Sequence, residues 1–182
     1  KHFHAFIRDV RLTEAEWMVG IDYLTRAGQM SNDKRQEMIL FSDLLGVSAL
    51  VNMTSANVPG GAPETTVIGP FFVPDAPKRE RGETIALQEG GFPLIMRGRV
   101  LDMDGTPVPG ARIDIWQNNA NALYDVQDSD APENNLRGYY LAGDDGSFVI
   151  RTIRPTQYQI PIDGPAGILV KVANRHPWRP AH

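Results

Sequence analysis

Pro59-Gly60-Gly61-Ala62-Pro63 divides the chain into two parts whose apolar residues keep different periods, and no other feature constrains the fold as much. Before it, Phe3, Phe6, Ile7 and Val10 recur three or four apart, as do Trp17, Ile21 and Leu24, the spacing of one face of a helix. Beyond it the apolar period shortens to two, the period of half-buried strands. The expected organisation is a helical region over 1–58 followed by a β domain over 59–182.

Within the first part, Thr13-Glu14-Ala15-Glu16 has the form of a capping box, in which a hydroxyl and a carboxylate reciprocally satisfy the first free amides. A helix is expected to start there, to break over Gly28–Asn32, and to be followed from Asp33 by a third helix. That helix runs through Met38, Leu44, Leu45, Val47, Leu50 and Val51 and is expected to be the longest. In the second part, 94–102 and 111–116 flank a Gly- and Pro-rich connection, and 139–142 and 147–152 flank Asp144-Asp145-Gly146. Both pairs read as hairpins, and 168–173 reads as a further strand. The fold class is therefore mainly β: an antiparallel β-sandwich preceded by helices. Its long polar loops, 117–135 and 154–165, each contain one tyrosine, and such loops are where a rigid sheet carries chemistry.

Composition removes several alternatives. Eighteen basic against 22 acidic residues leave a net charge of -4, too mild to recruit nucleic acid or an anionic membrane. The chain contains no cysteine, which excludes thiolate nucleophiles and thiolate zinc sites and leaves oxygen and nitrogen as metal donors. No apolar run approaches the roughly 20 residues of a membrane span, and Lys1-His2-Phe3-His4 does not resemble a signal peptide, so a cytoplasmic address is expected. The chain starts without methionine and stops at Arg179-Pro180-Ala181-His182, soon after an apolar run. A chain cut at both ends, with its sandwich incomplete at the C-terminus, is the expectation.

From the residues alone, the candidates for chemistry are Tyr124 and Tyr158 in the two loops, then His176, Arg179 and His182. No spacing rule joins them, and half-buried tyrosines with satisfied hydroxyls or a surface histidine beside proline would explain them as well. Longer motifs change that balance. The segment 174–182, Asn-Arg-His-Pro-Trp-Arg-Pro-Ala-His, resembles the G-R-H-P-W-R-P-A-H-x-H signature of the intradiol ring-cleavage dioxygenases, with Asn174 where glycine is common. The segment 114–127, which contains Asp114-Ile115-Trp116-Gln117 and Tyr124-Asp125-Val126-Gln127, resembles the stretch around that family's first iron-binding tyrosine. Thr66-Val67-Ile68-Gly69-Pro70-Phe71 and Leu136-Arg137-Gly138 match two further segments, and 12–29 with 33–47 match the family's amino-terminal helices. His176-Pro177-Trp178 together with Tyr124-Asp125-Val126-Gln127 favours the hydroxyquinol branch over the catechol branch.

The resemblance implies a non-haem ferric ion held by Tyr124, Tyr158 and His182, with a second histidine two positions past His182. It implies intradiol cleavage of hydroxyquinol by dioxygen to maleylacetate (3-hydroxy-cis,cis-muconate) in aromatic catabolism. Tyr158 would leave the metal and take a substrate proton, and Arg179 would stabilise charge developing on the ring, a structural ion pair being the lesser alternative for an arginine. Leu40, Asp43, Val67, Ile68, Gly69, Pro70, Ile160 and Pro161 would line the substrate, together with Arg179. Asp43 supplies the acceptor that a third ring hydroxyl requires, or is simply a solvated helix aspartate. The family's N-terminal helices imply a homodimer that can enclose phospholipid. Catechol or chlorocatechol 1,2-dioxygenase activity, and a non-catalytic sandwich that binds a ligand, are the competing readings.

Overall fold

In a computed structural model of the chain, all residues are described except 33, 34, 57–62 and 64. Most of the Pro59–Pro63 punctuation falls outside the described residues. The chain forms two compact units, residues 1–56 with 159–177, and residues 57–158 with 178–182. The first unit thus takes in a late segment that the boundary read from composition leaves with the β domain.

The first unit is helical. Helix α1 spans His2–Val10 and α2 spans Glu14–Met30. Thr13 caps α2 as its sequence predicts: the Thr13 hydroxyl accepts from the Glu16 amide at 3.3 Å, and the Glu16 carboxylate accepts from the Thr13 amide at 2.9 Å. The expected long third helix is in fact two, α3 (Glu37–Leu44) and α4 (Val47–Ser55), so the 17-residue α2 is the longest. The break is at Gly46, whose φ of 73° is left-handed backbone that ends one helix and reorients the next.

The apolar run 168–173 is not a strand but part of α5, Pro165–Val172. Two features decide this. Pro165 occupies the first helical position, where its fixed φ suits a helix and its missing amide costs nothing. The Glu37 carboxylate, from α3, accepts from the Ala166 amide at 2.9 Å and so caps α5 from a distant part of the sequence. Glu37 is buried, and Arg35 neutralises it through two contacts of 3.1 and 2.9 Å. The α5 face then packs Ala166 and Val170 with Leu44 and Ile160, flanked by Leu40 and Leu169. Among the described residues, no single helix is long and apolar enough to cross a membrane.

The second unit carries the sheets. Strands β1 (Pro93–Arg99), β2 (Arg112–Trp116), β3 (Arg137–Leu141) and β4 (Ser147–Ile153) pair antiparallel as β1 with β4 and β2 with β3. Neither expected hairpin forms between consecutive strands. Both turns exist: the Asp102 carboxylate accepts from the Asp104 and Thr106 amides at 2.9 and 2.8 Å, and the Gly143 amide donates to the Ser147 carbonyl at 2.9 Å. Each turn carries the chain from one sheet to the other. The reason is the core, in which Ile113 and Ile115 of β2, Tyr140 of β3 and Phe148 and Ile150 of β4 close on Ile85. Gly98 lies opposite Phe148 in register, and a Cβ there would meet the Phe148 ring at 2.5 Å. Two short strands complete the order, β5 (Tyr158–Gln159) and β6 (Trp178–Arg179), with Tyr158, Trp178 and Arg179 in the second unit.

Candidate metal centre

The loop after β2 and the loop after β4 are joined by buried amides. The Gln117 side chain donates to the Ile153 carbonyl at 2.9 Å and accepts from the Thr152 hydroxyl at 2.7 Å. The Asn118 side chain treats Thr156 as a strand would, accepting from its amide at 3.0 Å and donating to its carbonyl at 2.8 Å. The Thr156 hydroxyl returns a bond to the Asn119 carbonyl at 3.0 Å. Buried polar groups satisfied on every side hold one geometry, because any displacement leaves one of them unpaired. Six residues after Asn118 comes Tyr124, and two after Thr156 comes Tyr158.

Tyr124 is only 1% exposed. Its carbonyl accepts from the Gln127 and Asp128 amides at 2.8 and 3.1 Å, and its own amide donates to the Gln127 side chain at 3.2 Å. Its neighbour Asp125 receives two nitrogens of Arg137, one at 2.9 Å, while the third Arg137 nitrogen donates to the Phe71 carbonyl at 2.7 Å. The Phe71 ring lies 4.8 Å from the Tyr124 ring. The Trp116 indole donates to the Pro70 carbonyl at 2.7 Å and fixes the segment that carries Phe71.

Three of the side chains named from the sequence as metal donors converge here. The Tyr124 and Tyr158 rings are 5.9 Å apart and nearly perpendicular, and the Tyr158 and His182 rings are 5.5 Å apart. His182 Nε2 lies 3.5 Å from the Tyr124 hydroxyl, and Nδ1 lies 2.8 Å from the Pro180 carbonyl. A carbonyl only accepts, so this contact requires a proton on Nδ1, which in a neutral ring leaves the Nε2 lone pair facing the phenol. Ligands at about 2 Å from one ion sit about 3 Å from each other, close to the 3.5 Å separation observed.

Burial pushes the Tyr124 hydroxyl up to about 12, reinforced by Tyr158 and opposed by Arg137. A buried phenol of this kind stays neutral at physiological pH unless a cation replaces its proton. Among the described residues, no three His, Asp or Glu side chains gather as a metal site. The side chains that converge offer phenol oxygen and imidazole nitrogen, a set that would suit ferric iron and that redox-inert zinc would not need.

The other residues named from the sequence divide between the units. Arg179 is half-buried in β6, and its guanidinium makes no ion pair or hydrogen bond among the described residues, so the structural ion pair that would explain it otherwise is not seen among them. Val67, Ile68, Gly69 and Pro70 belong to the same unit as the three donors, with Gly69 at a φ of 88°. Leu40, Asp43, Ile160 and Pro161 belong to the helical unit, where Leu40 packs on the cluster containing Ile160 and Asp43 is exposed. Reading the sequence for donors missed the supports: Asn118, Thr156, Asp125, Arg137 and Phe71. The available signal was polar residues directly after the apolar strand Ile113–Trp116, where a solvated loop would not require amides to be buried.

Residues 67–182 match the family model described as dioxygenase, and residues 1–62 match that described as catechol dioxygenase N terminus. The chain is 48% identical over 183 residues to a hydroxyquinol 1,2-dioxygenase of Rhizobium sp. (strain MTP-10005), covering all of this chain and 62% of that protein. It is 50% identical to a 6-chlorohydroxyquinol 1,2-dioxygenase of Cupriavidus pinatubonensis, covering all of this chain and 66% of that protein. Among solved structures, hydroxyquinol 1,2-dioxygenase of Pseudomonas putida DLL-E4 superposes with a TM-score of 0.92 at 50% identity, covering all of this chain and 63% of that one. The chain spans less than two thirds of the length of these relatives.

Proposed function

The chain belongs to the intradiol ring-cleavage dioxygenase family, and from that premise we propose that the protein it forms part of uses dioxygen to open hydroxyquinol between its adjacent hydroxyls, yielding maleylacetate. The observation that carries this reading is the convergence of Tyr124, Tyr158 and His182 at ring distances below 6 Å, in a family whose relatives bear hydroxyquinol names.

Tyr124, Tyr158 and His182 would hold the metal. Bound ferric iron would supply Lewis acidity toward the two neighbouring hydroxyls and an acceptor for the electron density that makes the ring reactive toward dioxygen. The chain's own residues do the rest. Tyr124 is buried and braced on both flanks, so it would serve as the permanent donor. Tyr158 is less buried than Tyr124 and is the phenolate oxygen suited to take a substrate proton. Arg179, whose guanidinium has no ion-pair partner among the described residues, would place a fixed positive charge against the ring as negative charge develops, most effectively where water is excluded. Asp43 would accept from the third ring hydroxyl, and leaving that hydroxyl unpaired in a pocket costs about 1–3 kcal/mol.

The same reading includes a cytoplasmic homodimer formed through the N-terminal helices, with phospholipid at the interface. It is supported by the exposure of Phe3, Phe6, Trp17 and Ile21 on α1 and α2. Oxygen uptake by the iron-loaded full-length protein tests the activity, with hydroxyquinol and catechol compared and the product weighed by mass spectrometry. Uptake with hydroxyquinol and gain of both oxygen atoms is expected, and a preference that Asp43→Ala lowers. Absence of uptake with every diol, or a colourless iron-loaded protein, overturns the reading. An Asp43→Ala preference equal to that of the parent moves the discrimination to other residues.

A further inference from the structure

Building on the reading of Tyr124 as an iron ligand, we propose that Arg137 is a positioning residue for this site. By holding the Asp125 carboxylate and the Phe71 carbonyl at once, it sets the direction in which the Tyr124 phenol is presented. Arg137 is 1% exposed, and taking a guanidinium out of water is so costly that buried ion pairs rarely improve on an apolar core. What the pair does supply is direction. Its three contacts go to Asp125, the residue after the ligand, and to Phe71, whose tilted ring packs against the ligand. Only a planar fork reaches both partners; a lysine offers one point charge.

Phe71 shows that this grip works against resistance. Its φ of 61° is left-handed, a strained conformation for a bulky residue that persists only where neighbours over-determine it. Three neighbours do so: Arg137 on its carbonyl, Trp116 on the Pro70 carbonyl, and Tyr124 against its ring. The Tyr124 ring is thus bounded by Phe71 at 4.8 Å and by Tyr158 at 5.9 Å. Releasing Arg137 frees one of those two walls and the backbone beside the phenol together.

The test compares the full-length protein with Arg137→Lys, Phe71→Gly and Ile150→Ala. The last is a control that removes a fully buried side chain from the sheet core. Three quantities are measured: unfolding of the metal-free protein, Fe(III) affinity by chelator competition, and the position of the tyrosinate-to-iron visible band. Arg137→Lys is expected to bind Fe(III) about 10–100-fold more weakly, the range for supports of metal ligands, and to shift the band. Phe71→Gly, which relaxes the backbone but loses the ring, is expected to shift it in the same direction. Ile150→Ala is expected to unfold more easily with band and affinity unmoved.

Unchanged affinity and band in Arg137→Lys overturn the proposal, as does an equal shift in Ile150→Ala. If Arg137→Lys does not fold, Phe71→Gly decides by the same criteria. A parent protein that binds no Fe(III) with tyrosinate colour fails the iron reading itself, and the inference falls with it.

Discussion

Replacing Asn118 by aspartate alters one atom of a buried side chain and reverses one hydrogen bond. In the parent, the amide nitrogen donates to the Thr156 carbonyl at 2.8 Å while the amide oxygen accepts from the Thr156 amide at 3.0 Å. Aspartate keeps the second bond. When ionised it sets a carboxylate oxygen against the Thr156 carbonyl; when protonated it donates again. Asn118 is 1% exposed, so the ionised form faces both desolvation and a repelling dipole, and its folded pKa must rise above the unfolded value of about 3.9. A raised folded pKa means that the native state binds the extra proton. The variant is therefore close to the parent below about pH 4 and loses stability as pH climbs through the folded pKa. An unsatisfied buried polar atom costs about 1–3 kcal/mol, and more when charged. Taking about 3 kcal/mol with about 2 °C per kcal/mol, the low end that suits a protein longer than this chain, Tm should fall by about 6 °C at pH 8. Calorimetry of metal-free full-length Asn118→Asp and parent at pH 5 and pH 8 measures the gap, other titrating groups being common to both. A gap that does not widen with pH refutes this account of how the two tyrosine loops are joined.

Arg179→Ala is expected to keep the iron colour while lowering kcat by about 10²–10³, as loss of a preorganised charge does; unchanged turnover removes Arg179 from the reaction. The Tyr140 hydroxyl donates to the Glu83 carbonyl at 2.8 Å, and burial, aided by Glu83, pushes it up to about 12. Its folded pKa exceeds the unfolded value of about 10, so this stabilisation is full below pH 10 and is lost between pH 10 and about 12. Tyr140→Phe should cost about 1 kcal/mol at pH 8, with the gap closing by pH 11 in urea unfolding, and a gap constant with pH contradicts it. A Cβ on Gly164 would lie 2.4 Å from a Glu37 carboxylate oxygen, so Gly164→Ala should cost about 1–3 kcal/mol. The cost should shrink when Glu37 is also alanine, a double-mutant cycle that an equal cost in both backgrounds would contradict.

Local rules wrote part of this fold into single segments. The Thr13–Glu16 cap, the strand character of Ile113–Trp116 and the two turns at Asp102 and Gly143 are legible because a few adjacent residues satisfy them. The three side chains proposed as donors were legible as candidates, but through long motifs, since no spacing joins positions as distant as 124, 158 and 182. The apolar run at 168–173 shows the limit. Its composition suits a strand or a buried helix, and what decides is a cap from Glu37, more than a hundred residues away.

By itself, then, the sequence determined the family, the helical-then-β order and which side chains could bind a metal, because these depend on residue type and near-neighbour pattern. Only the tertiary structure decided which strand pairs with which, that 159–177 joins the helical unit, and that Asn118 bonds Thr156 while Arg137 joins Asp125 to Phe71 beside Tyr124. Partner choice in a sheet and the burial of a charge are set by what closes the core and by which distant groups can satisfy each buried polar atom. Those conditions are met between segments, so no single segment carries them.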